Sequence, residues 1–198
     1  MKQSTFFTAK NVASLAVLLA LVIVLQAVGG SFSIGAVSLN FTLIPIVLGA
    51  ILLGPAAGAF LGFACGVVVL IQVISGLVPF YVLIWTETPV VAALTCIVKT
   101  TVAGWVAGWL FQWLEKKNRY VAVFVAAGVV PVINTALFIV GCLFMKEAVM
   151  ALAGGTNVFV FILVSLVTFN FFAELAVNLL VAPALHTTYK VLEKQFKK

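Results

Sequence analysis

The stretch PVVAALTCIVKTTVAGWVAGWLFQWL, residues 89–114, decides what kind of protein this is. It carries one charge, Lys99, in a run that is otherwise apolar, small or weakly polar. A helix of that length is about 39 Å long at about 1.5 Å per residue, enough to cross a hydrocarbon core of about 30 Å. The rest of the chain agrees. Of 198 residues, 65% are hydrophobic and 8% charged, with a mean hydropathy of +1.31. A soluble domain has about a quarter of its residues charged. Strict alternation of apolar and polar residues is absent, which argues against a membrane β-barrel. The chain is expected to be an all-α polytopic membrane protein.

Six spans are expected, at about 10–28, 38–53, 56–74, 89–114, 121–145 and 157–186, in a single membrane domain covering 1–198. The first, Val12 to Val28, is too long for a secretory signal and lacks a clear small-residue cleavage site, so it reads as a retained span. Lys and Arg mark the cytoplasmic side of short loops. Lys2 and Lys10 precede span one, Lys116, Lys117 and Arg119 lie between spans four and five, and Lys190, Lys194, Lys197 and Lys198 follow span six. Six crossings put these clusters on one side and leave only Lys146, beside Glu147, on the other. Both termini are therefore expected in the cytoplasm. The net charge of +6 then reports topology and attraction to anionic lipid, and no nucleic-acid role is supported.

Three loops face outward under this topology: GGSFSIGAVSLN (29–40), SGLVPFYVLIWTETP (75–89) and MKEAVMALAGGTN (145–157). The cytoplasmic link between spans two and three is only LLGP. Elaborate loops on one face, rich in glycine and aromatic residues, are where a capture site with a lid would be built. Cys65, Cys96 and Cys142 lie apart within apolar runs, with no CxxC pair, so they read as small core residues and no metal site is expected.

Small residues recur at helical spacing in two spans. Ala9, Ala13, Ala16, Ala20 and Ala27 keep to one face of the first; Gly54, Gly58, Gly62 and Gly66 form a row in the third, with Gly104 and Gly108 in the fourth. Such rows allow close approach of helix backbones in lipid. Internal packing is the expectation for the glycines. The alanine row fits either internal packing or an external docking face.

Six helices, the Ala9/Ala13 and Ala16/Ala20 pairs, the segment FTLIPIVLGAILLGPAAGAFLGFACGVV (41–68) and VKTTVAGWVAGWLF (98–111) resemble the substrate-capture (S) component of an energy-coupling factor (ECF) transporter, over nearly the whole chain. The resemblance implies that Ala9, Ala13, Ala16 and Ala20 meet a transmembrane coupling subunit, which works with two ATPase subunits. It also implies that a vitamin binds near the outer face, between the outer loops and spans four to six, with no cofactor. The absence of a GxxxxGK[ST] phosphate loop agrees with an ATPase carried by partners.

Charges inside a bilayer cost at least about 2.5–3.5 kcal/mol and usually face the bundle interior or a cavity. Lys99 and Glu174 bear that cost. Counted from the outer ends of their spans, Lys99, Asn134 and Asn170 come out at similar depth on spans four, five and six. Glu174 and Asn178 follow Asn170 at four-residue steps on one face. Two readings stand side by side. Lys99 and Glu174 form a buried pair with the asparagines as hydrogen-bond glue, or these groups floor a ligand site in which Lys99 meets an anionic group. Asn40, Tyr81, Trp85 and Glu87 are candidate wall and lid residues, although Trp and Tyr at this level also serve as interface anchors. Trp105, Trp109 and Trp113 are expected to face lipid or a neighbouring helix. His186, the one histidine, sits at the cytoplasmic end and gives no support to a hydrolase.

One deep lysine, several asparagines and no deep arginine suit a small ligand with a carboxylate plus amide or hydroxyl groups. Pantothenate fits best; biotin and nicotinate also carry one carboxylate. The expected function is vitamin capture for ATP-driven uptake, and the chain itself is not expected to be an enzyme. The alternative is a free-standing secondary transporter or channel with Lys99 and Glu174 as an ion or proton relay, whose signs, inverted repeats and broken helices, are weak here.

Overall fold

The structure, a computed structural model, describes residues 8–29, 33–34, 37–38, 40–77, 79–155 and 157–196, without the side chains of 33, 34, 37, 38, 79, 80 and 193–196. Lys2, Lys197, Lys198, the Lys194 side chain and much of the first outer loop lie outside the described residues.

Among the described residues, five helices are long and apolar enough to cross a membrane. They are α1 (Ala9–Gly29), α3 (Pro55–Ile74), α5 (Pro89–Leu114), α6 (Arg119–Phe144) and a last rod. That rod starts as a single turn, α8 (Val158–Val160), passes through a π-helical stretch (Phe161–Thr168) and continues as α9 (Phe169–Phe196). Its apolar part, Val158–Leu192, runs for 35 residues, further than the expected 157–186. Pro55 and Pro89 open α3 and α5 at a position where the missing N–H costs nothing. Asn118 opens α6 by accepting from the Val121 N–H at 3.2 Å.

The remaining apolar helix, α2 (Leu43–Leu53), differs from expectation. It has 11 residues, about 16 Å at 1.5 Å per residue, where the sequence reads as a span over 38–53. It covers about half of a hydrocarbon core. The apolar run does begin earlier, but the chain at Asn40–Thr42 is a turn rather than helix. Non-helical backbone at membrane depth is tolerated only where protein buries it or a water-filled cavity meets it. Further up the same loop, Ser33–Ile34 and Val37–Ser38 form a small antiparallel hairpin, the one extended pairing among the described residues. The second and third outer loops hold short helices that the sequence reading did not mark, α4 (Pro79–Glu87) and α7 (Lys146–Leu152). α4 packs on α3, α5 and α7.

The glycine row forms a seam between α3 and α5. A Cβ added to Gly58 would stand 2.4 Å from the Gly104 carbonyl oxygen, one on Gly62 2.1 Å from that of Thr100, and one on Gly108 2.6 Å from the Pro55 Cα. The two backbones touch, and the Thr100 hydroxyl donates across the seam to the Gly62 carbonyl at 2.7 Å. The internal-packing reading holds. Gly54, between α2 and α3, has φ +93°, a conformation that costs glycine little and other residues much. It lets α2 fold back on α3 with one residue between them. α6 packs on the far side of α5 and α9 on α6, while α2 reaches both α6 and α9.

Candidate functional site

Above the short α2, four elements bring polar groups together. Glu174 of α9 is buried, and its Oε1 accepts from the backbone N–H of Asn40 at 3.0 Å, where the chain enters α2. Asn40, Phe41, Ala173, Glu174, Val177 and Asn178 line a recess of about 190 Å³, counting the space at its mouth.

Lys99 is half-buried on α5 and points its Nζ at the face of Phe138 on α6, 5.1 Å from the ring centroid. Phe138 is one turn from Asn134 on the same helix. Lys99 and Glu174 lie within Coulombic range of each other, yet among the described residues they form no ion pair. Each has another partner, the ring for the ammonium and the Asn40 N–H for the carboxylate. The direct pair of the first reading above is not made among the described residues, and the Lys99 ammonium rests beside α6 with no direct anionic contact.

Three buried asparagines carry a second signal. The Asn170 amide nitrogen donates to the Leu166 carbonyl at 3.3 Å and that of Asn178 to the Glu174 carbonyl at 2.9 Å. Each backbone acceptor requires a donor, which fixes the amide orientation and turns Oδ1 the other way. Among the described residues those two oxygens and the Asn134 Oδ1 are buried without a hydrogen-bond partner. An unsatisfied buried acceptor costs about 1–3 kcal/mol. Three of them on two neighbouring helices amount to an arrangement waiting for hydrogen-bond donors.

Around this core the candidates divide. Tyr81 of α4 is buried and stands edge-on to Phe138, with ring centroids 6.4 Å apart. Its hydroxyl meets the Cys96 thiol, and burial raises the phenol's pKa well above its usual value, so it stays protonated. Tyr81 is thus tied to the Phe138–Lys99 contact rather than standing as an interface anchor. Trp85 is half-buried against the core. Glu87, exposed at the end of α4, makes no hydrogen bond or ion pair with the cluster among the described residues. Trp105, Trp109 and Trp113 are 53%, 55% and 58% exposed, facing away from the bundle. His186 lies against the Tyr120 ring, away from these groups.

The description of ECF transporter substrate-specific components matches residues 10–186. The chain belongs to that family. No individually curated protein matches it. A substrate-specific component is an integral membrane protein that binds a small molecule and partners with ECF coupling and ATPase subunits; its role is transport, not catalysis. In this substrate-specific component Ala9, Ala13, Ala16 and Ala20 are all exposed, while α1 buries Leu18, Val22 and Gly29 against the bundle. The alanine row therefore faces outward, the alternative that spacing left open.

Sequence reading missed one group of residues in this substrate-specific component. Gln26 of α1, Thr42 at the start of α2, and Cys65 and Gln72 of α3 join in a buried hydrogen-bond cluster next to Asn40. The available signal was Gln26 and Gln72 themselves, each interrupting an apolar run close to its outer end.

Proposed function

We propose that this substrate-specific component captures a small anionic vitamin from outside the cell, with pantothenate the best chemical fit. One observation carries the reading: among the described residues Lys99, set against Phe138 one turn from Asn134, makes no direct ion pair, and the buried Oδ1 atoms of Asn134, Asn170 and Asn178 have no hydrogen-bond donor. A carboxylate would meet Lys99, and hydroxyl or amide N–H groups would satisfy the asparagines. Pantothenate has one carboxylate, one amide N–H and two hydroxyls, so it offers three donors. Nicotinate has a carboxylate and no such donors. Glu174, held by Asn40, lies at the lower end of the site, where it accepts from a ligand hydroxyl and repels a second anionic group.

The exposed alanine face of α1 serves as the docking surface for the coupling subunit through Ala9, Ala13, Ala16 and Ala20. Small side chains there let a partner helix come close, which is how helices associate in lipid. Binding and docking thus use different helices, and hydrolysis of ATP stays with the partner subunits.

Titration calorimetry of the purified chain with pantothenate, biotin and nicotinate tests the first part. Tight binding of pantothenate in preference to nicotinate is expected, with no sustained uptake into vesicles that hold this chain alone. Uptake without partner subunits would instead support the free-standing transporter.

A further inference from the structure

The loop that enters α2 is tied down at both feet by residues that line no part of the recess. Gln26 lies just before the end of α1, and Thr42 just before the start of α2. Gln26 Nε2 donates to Gln72 Oε1 at 3.0 Å, and Gln72 Nε2 donates back to the Gln26 backbone carbonyl at 3.1 Å. That carbonyl can only accept, so the orientation of the Gln72 amide is fixed, and with it that of Gln26. Gln26 Oε1 is left facing the Thr42 hydroxyl at 3.4 Å and the Cys65 thiol at 3.7 Å. The same hydroxyl also faces Asn40 Oδ1, so its single proton is shared between two acceptor oxygens. The run ends at the Asn40 N–H, which donates to Glu174. It therefore passes from α3 through α1 and the foot of α2 to α9.

Two features of this run go beyond packing. Its last link, the Asn40–Glu174 bond, is made by a backbone group that no side-chain substitution removes. Asn40 also belongs to a non-helical turn, so little else in the local backbone fixes where its N–H points. We infer that Gln26, Gln72 and Thr42 act as a clasp: they set the position of Asn40 and, through it, of the Glu174 carboxylate, so that affinity depends on residues the ligand does not touch. These are positioning residues. The inference rests on the proposed placement of the ligand between Lys99 and Glu174.

The test uses the full chain in detergent, with labelled pantothenate, biotin and nicotinate as probes. Thr42→Val removes the hydroxyl and keeps the shape, whereas Thr42→Ser keeps the hydroxyl. Thr42→Val and Gln26→Leu are expected to weaken binding about tenfold, roughly the effect of one lost hydrogen bond to a charged or buried partner, mainly through faster dissociation. Thr42→Ser should bind like the parent. In a Glu174→Gln background, Thr42→Val should add less than about twofold, because coupled residues are not additive. Parent-like binding by Thr42→Val and Gln26→Leu, or multiplicative effects of Thr42→Val and Glu174→Gln, would overturn the clasp. If the parent binds none of the probes, the placement of the site fails, and the clasp is judged separately. With Cys96→Ala and Cys142→Ala in place, Gln72→Leu should then raise the rate of maleimide labelling at buried Cys65 at least about fivefold. An unchanged rate overturns it.

Discussion

The α3–α5 seam and the α6–α9 face are both contacts between long apolar helices, and they follow opposite rules. At the seam three glycines of α3 and two of α5 bring backbone against backbone, and the Thr100 hydroxyl that crosses it is satisfied. On the other face, among the described residues, buried asparagines keep bare oxygens, a lysine makes no direct ion pair, and the helix itself changes to π geometry over Phe161–Thr168. π-helical turns leave backbone bonds off register and recur at functional sites. One interface holds the protein together, and the other spends stability to remain unsaturated. A binding protein needs both, because a face already satisfied within the chain has nothing left to offer a ligand.

The contrast can be broken most severely at the seam. Gly62→Ala places a carbon 2.1 Å from the Thr100 carbonyl oxygen. Overpacking of this kind costs about 3 kcal/mol, or roughly 10 °C of unfolding temperature for a chain of this size. Thermal unfolding in detergent measures it, and a loss under about 2 °C would mean the seam is looser than the geometry says. Lys99→Met should have the opposite profile. Affinity for pantothenate should fall about a hundredfold, the upper range for a lost hydrogen bond to a charged group, with no loss of thermal stability, because a costly charge has left the interior. If affinity is unchanged, Lys99 belongs to the scaffold.

Asn170→Leu sharpens the comparison further. Removing a bare oxygen should raise the unfolding temperature of the ligand-free protein by a few degrees while weakening pantothenate binding about tenfold. A drop in stability would show that the oxygen already has a partner. The smallest effect on the isolated chain is expected on α1. Ala16→Phe should leave ligand affinity within about twofold, since the side chain is exposed, and should abolish co-purification with the coupling subunit. Retained co-purification would move the docking surface elsewhere.

Much of the scaffold was legible because its causes are local. A run such as 89–114 can only be a membrane helix, and glycines every fourth residue put bare backbone on one face. That Lys99, Asn134, Asn170 and Glu174 lie inside the bundle was legible for a related reason: polar groups in an apolar run are costly enough to be noticed one at a time. What escaped notice depended on tertiary contacts. Asn40 and Thr42 are each flanked by apolar residues, so they read as lone polar groups within a span rather than as the turn before Leu43. α4 and α7 lie in segments rich in glycine and proline that read as loops, and their helices rest on packing against neighbours. Gln26 and Gln72 lie far apart in sequence, and only the packing of α1 on α3 makes them partners. Whether Ala16 faced the bundle or lipid likewise depended on which side of α1 the rest of the chain occupied.

The brevity of α2 also has an electrical consequence. Because α2 covers only about half of the hydrocarbon core, the ligand site above it lies about halfway along the membrane voltage drop. A full crossing by one charge against 100 mV is worth about 2.3 kcal/mol, so a ligand carboxylate halfway down would meet about half of it, roughly a sevenfold change in occupancy. An interior-negative cell would then hold an anionic nutrient slightly less tightly than a depolarised one, before any nucleotide is hydrolysed.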